Sequence, residues 1–177
     1  MPLAGLKMLT LQPLADSRGS LNRMFCAERL KSVWPGKIIQ INHTKTVTRG
    51  SVRGLHFQHP PHAERKLVTC LRGEVWDVVV DLRADSPTFL RWHAEQLSES
   101  NHQAMLIPEG FAHGFQSRTP DVELLYLHSA AYEPKAEGGI SALDPRLAIP
   151  WPEAITQLSE RDRSHPRLDK HFAGLVV

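Results

Sequence analysis

From residue 38 to residue 128 the chain is cut into short apolar or alternating segments, and a turn signal closes most of them. The segments are 38–42, 66–71, 75–82, 89–97, 103–107, 114–116 and 122–128, separated by Arg72-Gly73, Asp85-Ser86-Pro87, Pro108-Glu109-Gly110 and Arg118-Thr119-Pro120-Asp121. Pro, Gly, Asp and Ser at such intervals leave no room for long helices and space short strands as a β-sandwich or barrel does. Val75, Val78, Val79 and Val80 are β-branched without a helical stripe, so 75–82 reads as a strand buried on both faces and placed centrally. Helical signal is confined to 27–32, a short stretch after Ser98, and the tail around Ser159-Glu160-Arg161-Asp162.

With 177 residues, 41% of them hydrophobic, the chain can bury a core without disulfide or metal staples. No repeat or linker divides it, and one domain over 1–177 is expected. Lys plus Arg number 21 against 19 Asp plus Glu, a net charge of +2, which argues against a polybasic nucleic-acid binder. Leu3, Leu6, Leu9 and Leu11 are interrupted by Lys7, Gln12 and Pro13, so neither a signal peptide nor a membrane span is expected there, and the protein should be soluble and cytoplasmic. Cys26 and Cys70 lack a C-x-x-C spacing and read as small buried apolar residues in a reducing compartment. The ten histidines are the compositional excess, and imidazole both titrates near neutrality and ligates metals.

The densest chemistry lies in 50–66, where His56, His59 and His62 stand among Arg53, Arg65, Lys66 and Glu64. On an extended strand Gly54, His56 and Gln58 share one face while Arg53, Leu55 and Phe57 share the other, unless a bulge intervenes. Pro108-Glu109-Gly110-Phe111-Ala112-His113 then sets a turn before another strand histidine. This pair of motifs resembles the cupin superfamily. Metal-binding cupins place two His at i and i+2 on one face, whereas the residue two beyond His56 is Gln58, leaving too few ligands aimed at one point; no metal is expected.

A closer resemblance rests on Gly50-x-x-Arg53-Gly54-Leu55-His56-Phe57-Gln58, Lys66-Leu67-Val68, Gly73-Glu74-Val75-x-Asp77-Val78, Val80-Asp81-Leu82-Arg83-x-x-Ser86-Pro87-Thr88-Phe89, Leu97-Ser98-x-x-Asn101, Ile107 to Phe115, and Asp144-Pro145 through Trp151-Pro152. Together these are similar to the nucleotide-sugar 3,5-epimerases typified by dTDP-4-dehydrorhamnose 3,5-epimerase, over about residues 16–162. The resemblance implies an all-β fold, a cupin-like double-stranded β-helix (jelly roll) with short peripheral helices, in a homodimer that uses no cofactor and no metal and binds neither nucleic acid nor membrane. It also implies epimerisation of a nucleotide-linked 4-keto-6-deoxyhexose.

Such a reaction needs a base, an acid on the other face, and a cation or donor for the enolate oxygen. By motif position His56 resembles the base, Asp162 the carboxylate that orients it, Tyr126 the acid and Lys66 the enolate-stabilising cation. Taken alone, Tyr126 reads as strand core and Lys66 as a surface lysine. Arg18, Arg53 and His113 resemble ligands for diphosphate and sugar, Gln40 and Asn42 match nucleotide or sugar contacts, and Glu137, Arg161 and the aromatic Tyr132 are further candidates. Arg23 departs from the family pattern, standing where a carboxylate is expected, with Ser20 and Leu21 in place of aromatics; the nucleotide carrier therefore stays open, as does inversion at carbon 3 alone or at carbons 3 and 5. The alternatives are a metal-dependent cupin enzyme and a non-catalytic carbohydrate-binding jelly roll.

Overall fold

The computed structural model describes residues 1–177. Twelve strands follow in order: β1 (Lys7–Thr10), β2 (Leu14–Asp16), β3 (Gly19–Leu21), β4 (Gln40–Thr46), β5 (Val52–Gln58), β6 (Lys66–Arg72), β7 (Glu74–Asp81), β8 (Trp92–Ser98), β9 (Gln103–Ile107), β10 (Phe111–Ser117), β11 (Val122–His128) and β12 (Glu137–Gly139). Two short helices, α1 (Ala27–Leu30) and α2 (Glu160–Ser164), lie at the periphery. The strands form two antiparallel sheets, ordered β1-β9-β6-β11-β4 and β12-β5-β10-β7-β8, with β2 and β3 as a separate hairpin. From β4 to β12 the chain changes sheet at every step except the β7–β8 hairpin, which is the winding of a jelly roll.

Inward residues of both sheets meet in one apolar cluster that includes Val68, Met105 and Leu124 from the first sheet and Val79, Phe111 and Phe115 from the second. Alternate residues of β7 pack the other way: Val78 and Val80 join Leu55, Ile149 and Leu175 under the C-terminal tail. β7 is thus buried on both faces as expected, although it lies one strand in from the sheet edge and β10 holds the middle. Trp34, with Phe25 and Leu30 at its side, covers the outer face of the first sheet.

Several expectations are corrected. The stretch after Ser98 is a turn, not a helix: the Asn101 side chain accepts from the Ser98 N–H at 3.1 Å and the Ser98 hydroxyl accepts from the Asn101 N–H, which satisfies the backbone without a helical turn. The segment 89–97 begins as a strand only at Trp92, because Asp81 accepts from the Ser86 and Thr88 hydroxyls and ties the preceding residues into a loop. Cys26 is half-buried, while burial pushes the Cys70 thiol up to about 12 and leaves it a small apolar filler. No helix is long and apolar enough to cross a membrane.

Candidate active site

β5 and β10 pair out of simple register. Phe115 lies opposite Arg53 and His113 opposite His56, so Gly54 and Leu55 together face the single residue Gly114. This is the bulge that strict alternation left out. It puts Arg53, His56 and Gln58 on the same cavity wall, while Leu55 and Phe57 turn into the outer apolar cluster. The bulge depends on two glycines: a Cβ on Gly54, whose φ is +125°, would lie 2.6 Å from Gly114 Cα.

The cavity so lined has a volume of about 500 Å³ and opens between the two sheets. One wall carries Gln40, Asn42 and Thr44 of β4, Lys66 of β6, and Tyr126 and His128 of β11; the other carries Arg53, His56 and Gln58 of β5, His113 of β10 and Glu137 of β12. Gln40, Asn42 and Thr44 are spaced by two, as are Tyr126 and His128, so strand periodicity alone aims them inward. A second groove, of about 630 Å³, shares Arg53, His56 and Arg161 with the cavity and adds Lys45 and Arg163, making that side strongly basic.

His56 Nε2 lies 2.7 Å from Asp162 Oδ1. A carboxylate only accepts, so Nε2 carries the proton and Nδ1 is left as the basic atom. Asp162 is 3% exposed and sits in the first turn of α2, whose N-cap is Ser159. Burial pushes its carboxyl up, but hydrogen bonds from His56 and from the Gly54 N–H, together with the His56 charge, outweigh that and hold it below the ordinary carboxylate value. Arg161 reaches Glu137 at 3.0 Å and approaches His56 Nε2 at 3.3 Å, too crowded to donate where a proton already sits.

Tyr126 faces His56 from the opposite sheet, packed edge-on against His113. Burial, and then the negative charge of Asp77, push its hydroxyl well above the usual tyrosine value, so it rests as a phenol that can donate a proton. Lys66 is 7% exposed, which corrects the reading of a surface lysine. Its Nζ lies 2.9 Å from Glu64 and 3.4 Å from the His56 carbonyl, leaving one of three N–H groups unengaged. Tyr132 is half exposed at the mouth, where its hydroxyl donates to Glu137 at 3.1 Å and its N–H to Gln40 at 2.9 Å.

Two candidates are not brought to this cavity. Arg18 is exposed and paired with Asp16 at the tip of the β2–β3 hairpin, and Arg23 lines a separate apolar groove with Leu9, Leu14, Leu21 and Phe25. The chain between Leu11 and α1 runs off the outside of the first sheet rather than over its inner face, so within one chain neither arginine lines the cavity of His56 and Tyr126.

Four residues matter that sequence reasoning passed over. Glu64 holds Lys66, Asp77 pairs with His113 at 2.9 Å in a second buried His–Asp contact, His128 stacks beside Tyr126, and His165 packs edge-on against His56 with ring centroids 5.4 Å apart. Burial, and then Lys66, lower His128 to about 4; burial, and then His56, hold His165 below the ordinary value. For Asp77 a signal existed: it is a carboxylate in the middle of the buried β7 run. The other three need the fold.

The groups nearest the cupin metal position are each engaged elsewhere. The Gln58 amide donates to Glu64 and the His62 carbonyl, with the Ala131 carbonyl 3.2 Å away, and accepts from the Glu133 N–H; Glu64 pairs with Lys66, His113 with Asp77 and His56 with Asp162. A dication would sit beside the Lys66 ammonium, so this donor set does not suit one.

A family model described as dTDP-4-dehydrorhamnose 3,5-epimerase matches residues 1–170. Relatives include the dTDP-4-dehydrorhamnose 3,5-epimerase of Sinorhizobium fredii, 37% identical over 170 residues, with 95% of this chain and 87% of that protein covered. The dTDP-4-dehydrorhamnose 3-epimerase of Streptomyces niveus is 39% identical over 177 residues, with 98% and 85% covered. The crystal structure of dTDP-4-dehydrorhamnose 3,5-epimerase from Bacillus anthracis, with TDP and pyrophosphate bound, superposes with a TM-score of 0.89 at 37% identity, over 92% of this chain and 94% of that one. Agreement of sequence and backbone over that length is what common descent leaves, and the chain belongs to the dTDP-4-dehydrorhamnose 3,5-epimerase family.

Proposed function

We propose that this isomerase inverts carbon 3, or carbons 3 and 5, of a nucleotide-linked 4-keto-6-deoxyhexose, with dTDP-4-dehydro-6-deoxy-D-glucose as substrate and dTDP-4-dehydro-L-rhamnose or a related sugar as product. The observation that carries the reading is the placement of a His–Asp pair and a phenol on opposite walls of one cavity, with a buried ammonium between the sheets. His56 Nδ1 takes the proton beside the carbonyl, and the electron pair moves onto the carbonyl oxygen as an enolate. The free N–H of Lys66 faces that charge, in surroundings where a fixed donor is worth far more than in water. Tyr126 returns a proton to the same carbon from the other face, and the double bond collapses back to the ketone.

Arg53, on the wall shared by cavity and basic groove, suits a diphosphate; Gln40, Asn42, His113, Tyr132, Glu137 and Arg161 line the rest of the ligand space. Arg18 and Arg23 act on substrate in this reading from the partner of a homodimer, since their own chain holds them away from the base. Two free cysteines fit a cytoplasmic enzyme.

The test is NMR-monitored deuterium exchange at carbons 3 and 5 in heavy water across dTDP-, CDP-, GDP- and UDP-linked keto sugars. His56→Ala is expected to slow exchange by at least about 10³-fold, within the range ascribed to a general base. Tyr126→Phe is expected to retain partial wash-in while blocking inversion. Normal exchange in His56→Ala sinks the assignment of the base, and no exchange on any sugar sinks the activity.

A further inference from the structure

One face of β4 carries Gln40, Asn42, Thr44 and Thr46. The Gln40 amide donates to Asn42 at 3.1 Å, and Asn42 Nδ2 lies 3.4 Å from His128 Nε2. Thr44 differs from both: its hydroxyl oxygen is shut off from water and makes no hydrogen bond, an uncommon condition for a buried polar atom. Across the β4–β11 pair Thr44 stands opposite Leu124 and Asn42 opposite Tyr126. Thr44 and Tyr126 are therefore diagonal neighbours on one face, a separation an aromatic side chain can span, and both line the cavity. The Thr46 hydroxyl is orphaned too, but it stands opposite Val122 and borders the basic groove instead of the cavity.

When Tyr126 gives up its proton, the O–H bond breaks, the electron pair stays on oxygen, and a phenolate is left in a wall that resists charge. Burial, and then Asp77 of β7, make that ion costly. Of the imidazoles beside the ring, His113 of β10 has Nε2 committed to Asp77, and His128 stacks on the ring with Nε2 toward Asn42. The groups that pull the phenol toward ionisation are Thr44 first and then Arg53 of β5. We propose that Thr44 is a positioning residue acting through Tyr126: its hydroxyl turns to the tyrosine oxygen as the phenolate forms and donates to it, a hydrogen bond absent from the resting protein. A bond made only on the way to product lowers the barrier without tightening substrate binding. Donation in this direction also leaves the single phenol proton free for carbon. β-Branching holds the Thr44 oxygen in place while its hydrogen rotates. Thr44 keeps its own proton throughout, and water restores that of Tyr126 after product leaves.

The role rests on the proposed epimerisation with Tyr126 as acid. Thr44→Val deletes the hydroxyl at nearly constant shape, and Thr44→Ser keeps it. On a 4-keto nucleotide sugar in heavy water, Thr44→Val is expected to invert carbon about tenfold more slowly, with KM and deuterium wash-in to recovered substrate unchanged, because His56 still forms the enolate. Thr44→Ser is expected to recover most of the lost rate. Valine also removes an unsatisfied buried hydroxyl, so the thermal midpoint of Thr44→Val should not fall below that of the parent. A second readout needs no turnover. The chain has two tyrosines; with both replaced by 3,5-difluorotyrosine, a more acidic phenol, fluorine NMR follows each ionisation, and the Tyr126 signal is the one missing from Tyr126→Phe. That ionisation is expected about one pH unit higher in Thr44→Val than in the parent, and near the parental value in Thr44→Ser. Parental inversion in Thr44→Val, or an ionisation that does not move, overturns the proposal and leaves the epimerase standing. Wash-in lost together with inversion and not restored by serine makes Thr44 merely structural and overturns it as well. A parent that exchanges on no keto sugar overturns the epimerase reading and the role with it, whereas a shifted ionisation would still tie Thr44 to the phenol.

Discussion

Glu64 and Lys66 are both nearly sealed from water and 2.9 Å apart, so neither charge is comfortable without the other. Removing one partner of such a pair strands the other, at a cost of about 3–5 kcal/mol. Glu64→Leu is therefore expected to lower the unfolding free energy measured by urea titration by that amount and also to loosen Gln58, which donates to the same carboxylate at 2.7 Å. His128 sets a second condition. Burial, and then Lys66, lower it to about 4 from an ordinary 6.5, so between those values the unfolded chain binds a proton that the folded protein refuses. Stability is complete above pH 6.5 and falls by roughly 3 kcal/mol as pH drops to 4. His128→Gln is expected to flatten that slope in urea titrations run from pH 7 to 4; an unchanged slope would place the proton-linked loss elsewhere. His56, Asp162 and Tyr126 were legible only through the family motifs around them, since Tyr126 taken alone reads as strand core. Glu64 and His165 were not, because their meaning lies in what the fold brings beside them.

At the scale of single elements, the strand spacing was readable and the strand phase was not. The core segments 66–71, 103–107 and 122–128 fall on β6, β9 and β11 because alternation and turn residues mark them directly. β1 escaped notice: Lys7 to Thr10 is short, and it is a strand only because β9 offers an edge to pair with. β5 is the instructive case, since odd-numbered Arg53 and even-numbered His56 look the same way only across an inserted residue. Gly54→Ala is expected to cost about 1–3 kcal/mol, the range for a residue forced into sparsely populated backbone space. It should also slow exchange at temperatures where the variant is still folded, because the Arg53–His56 spacing changes with the bulge. Thermal melts and exchange rates on the same sample separate the two effects; a folded variant exchanging at the parental rate would show the bulge to be irrelevant to alignment.

On the whole molecule, apolar residues stay exposed at both edges of the first sheet, beside β4 and on the hairpin that follows β1. Ile39 precedes β4 and Ile41 and Val47 lie on or beside it, at the edge of the first sheet, while Leu14 and Leu21 lie on the β2–β3 hairpin. An unpaired strand edge with apolar side chains invites another chain. Sedimentation is expected to give two chains per particle at micromolar concentration and one for Ile41→Lys with Leu21→Asp, accompanied by weaker substrate binding if Arg18 and Arg23 act across the interface. A parent that sediments as a monomer removes both the dimer and the substrate role of those two arginines. The winding of the chain has a last consequence. Because His56, the proposed base, hangs from one sheet and Tyr126, the proposed acid, from the other, the molecule is a caliper, and its jaw opening is set by the thickness of the filling between them. Met105, Val79, Leu124 and Phe115 thus gauge a distance that proton transfer senses to within about an ångström, and apolar residues with no chemistry of their own belong to the machinery of the reaction.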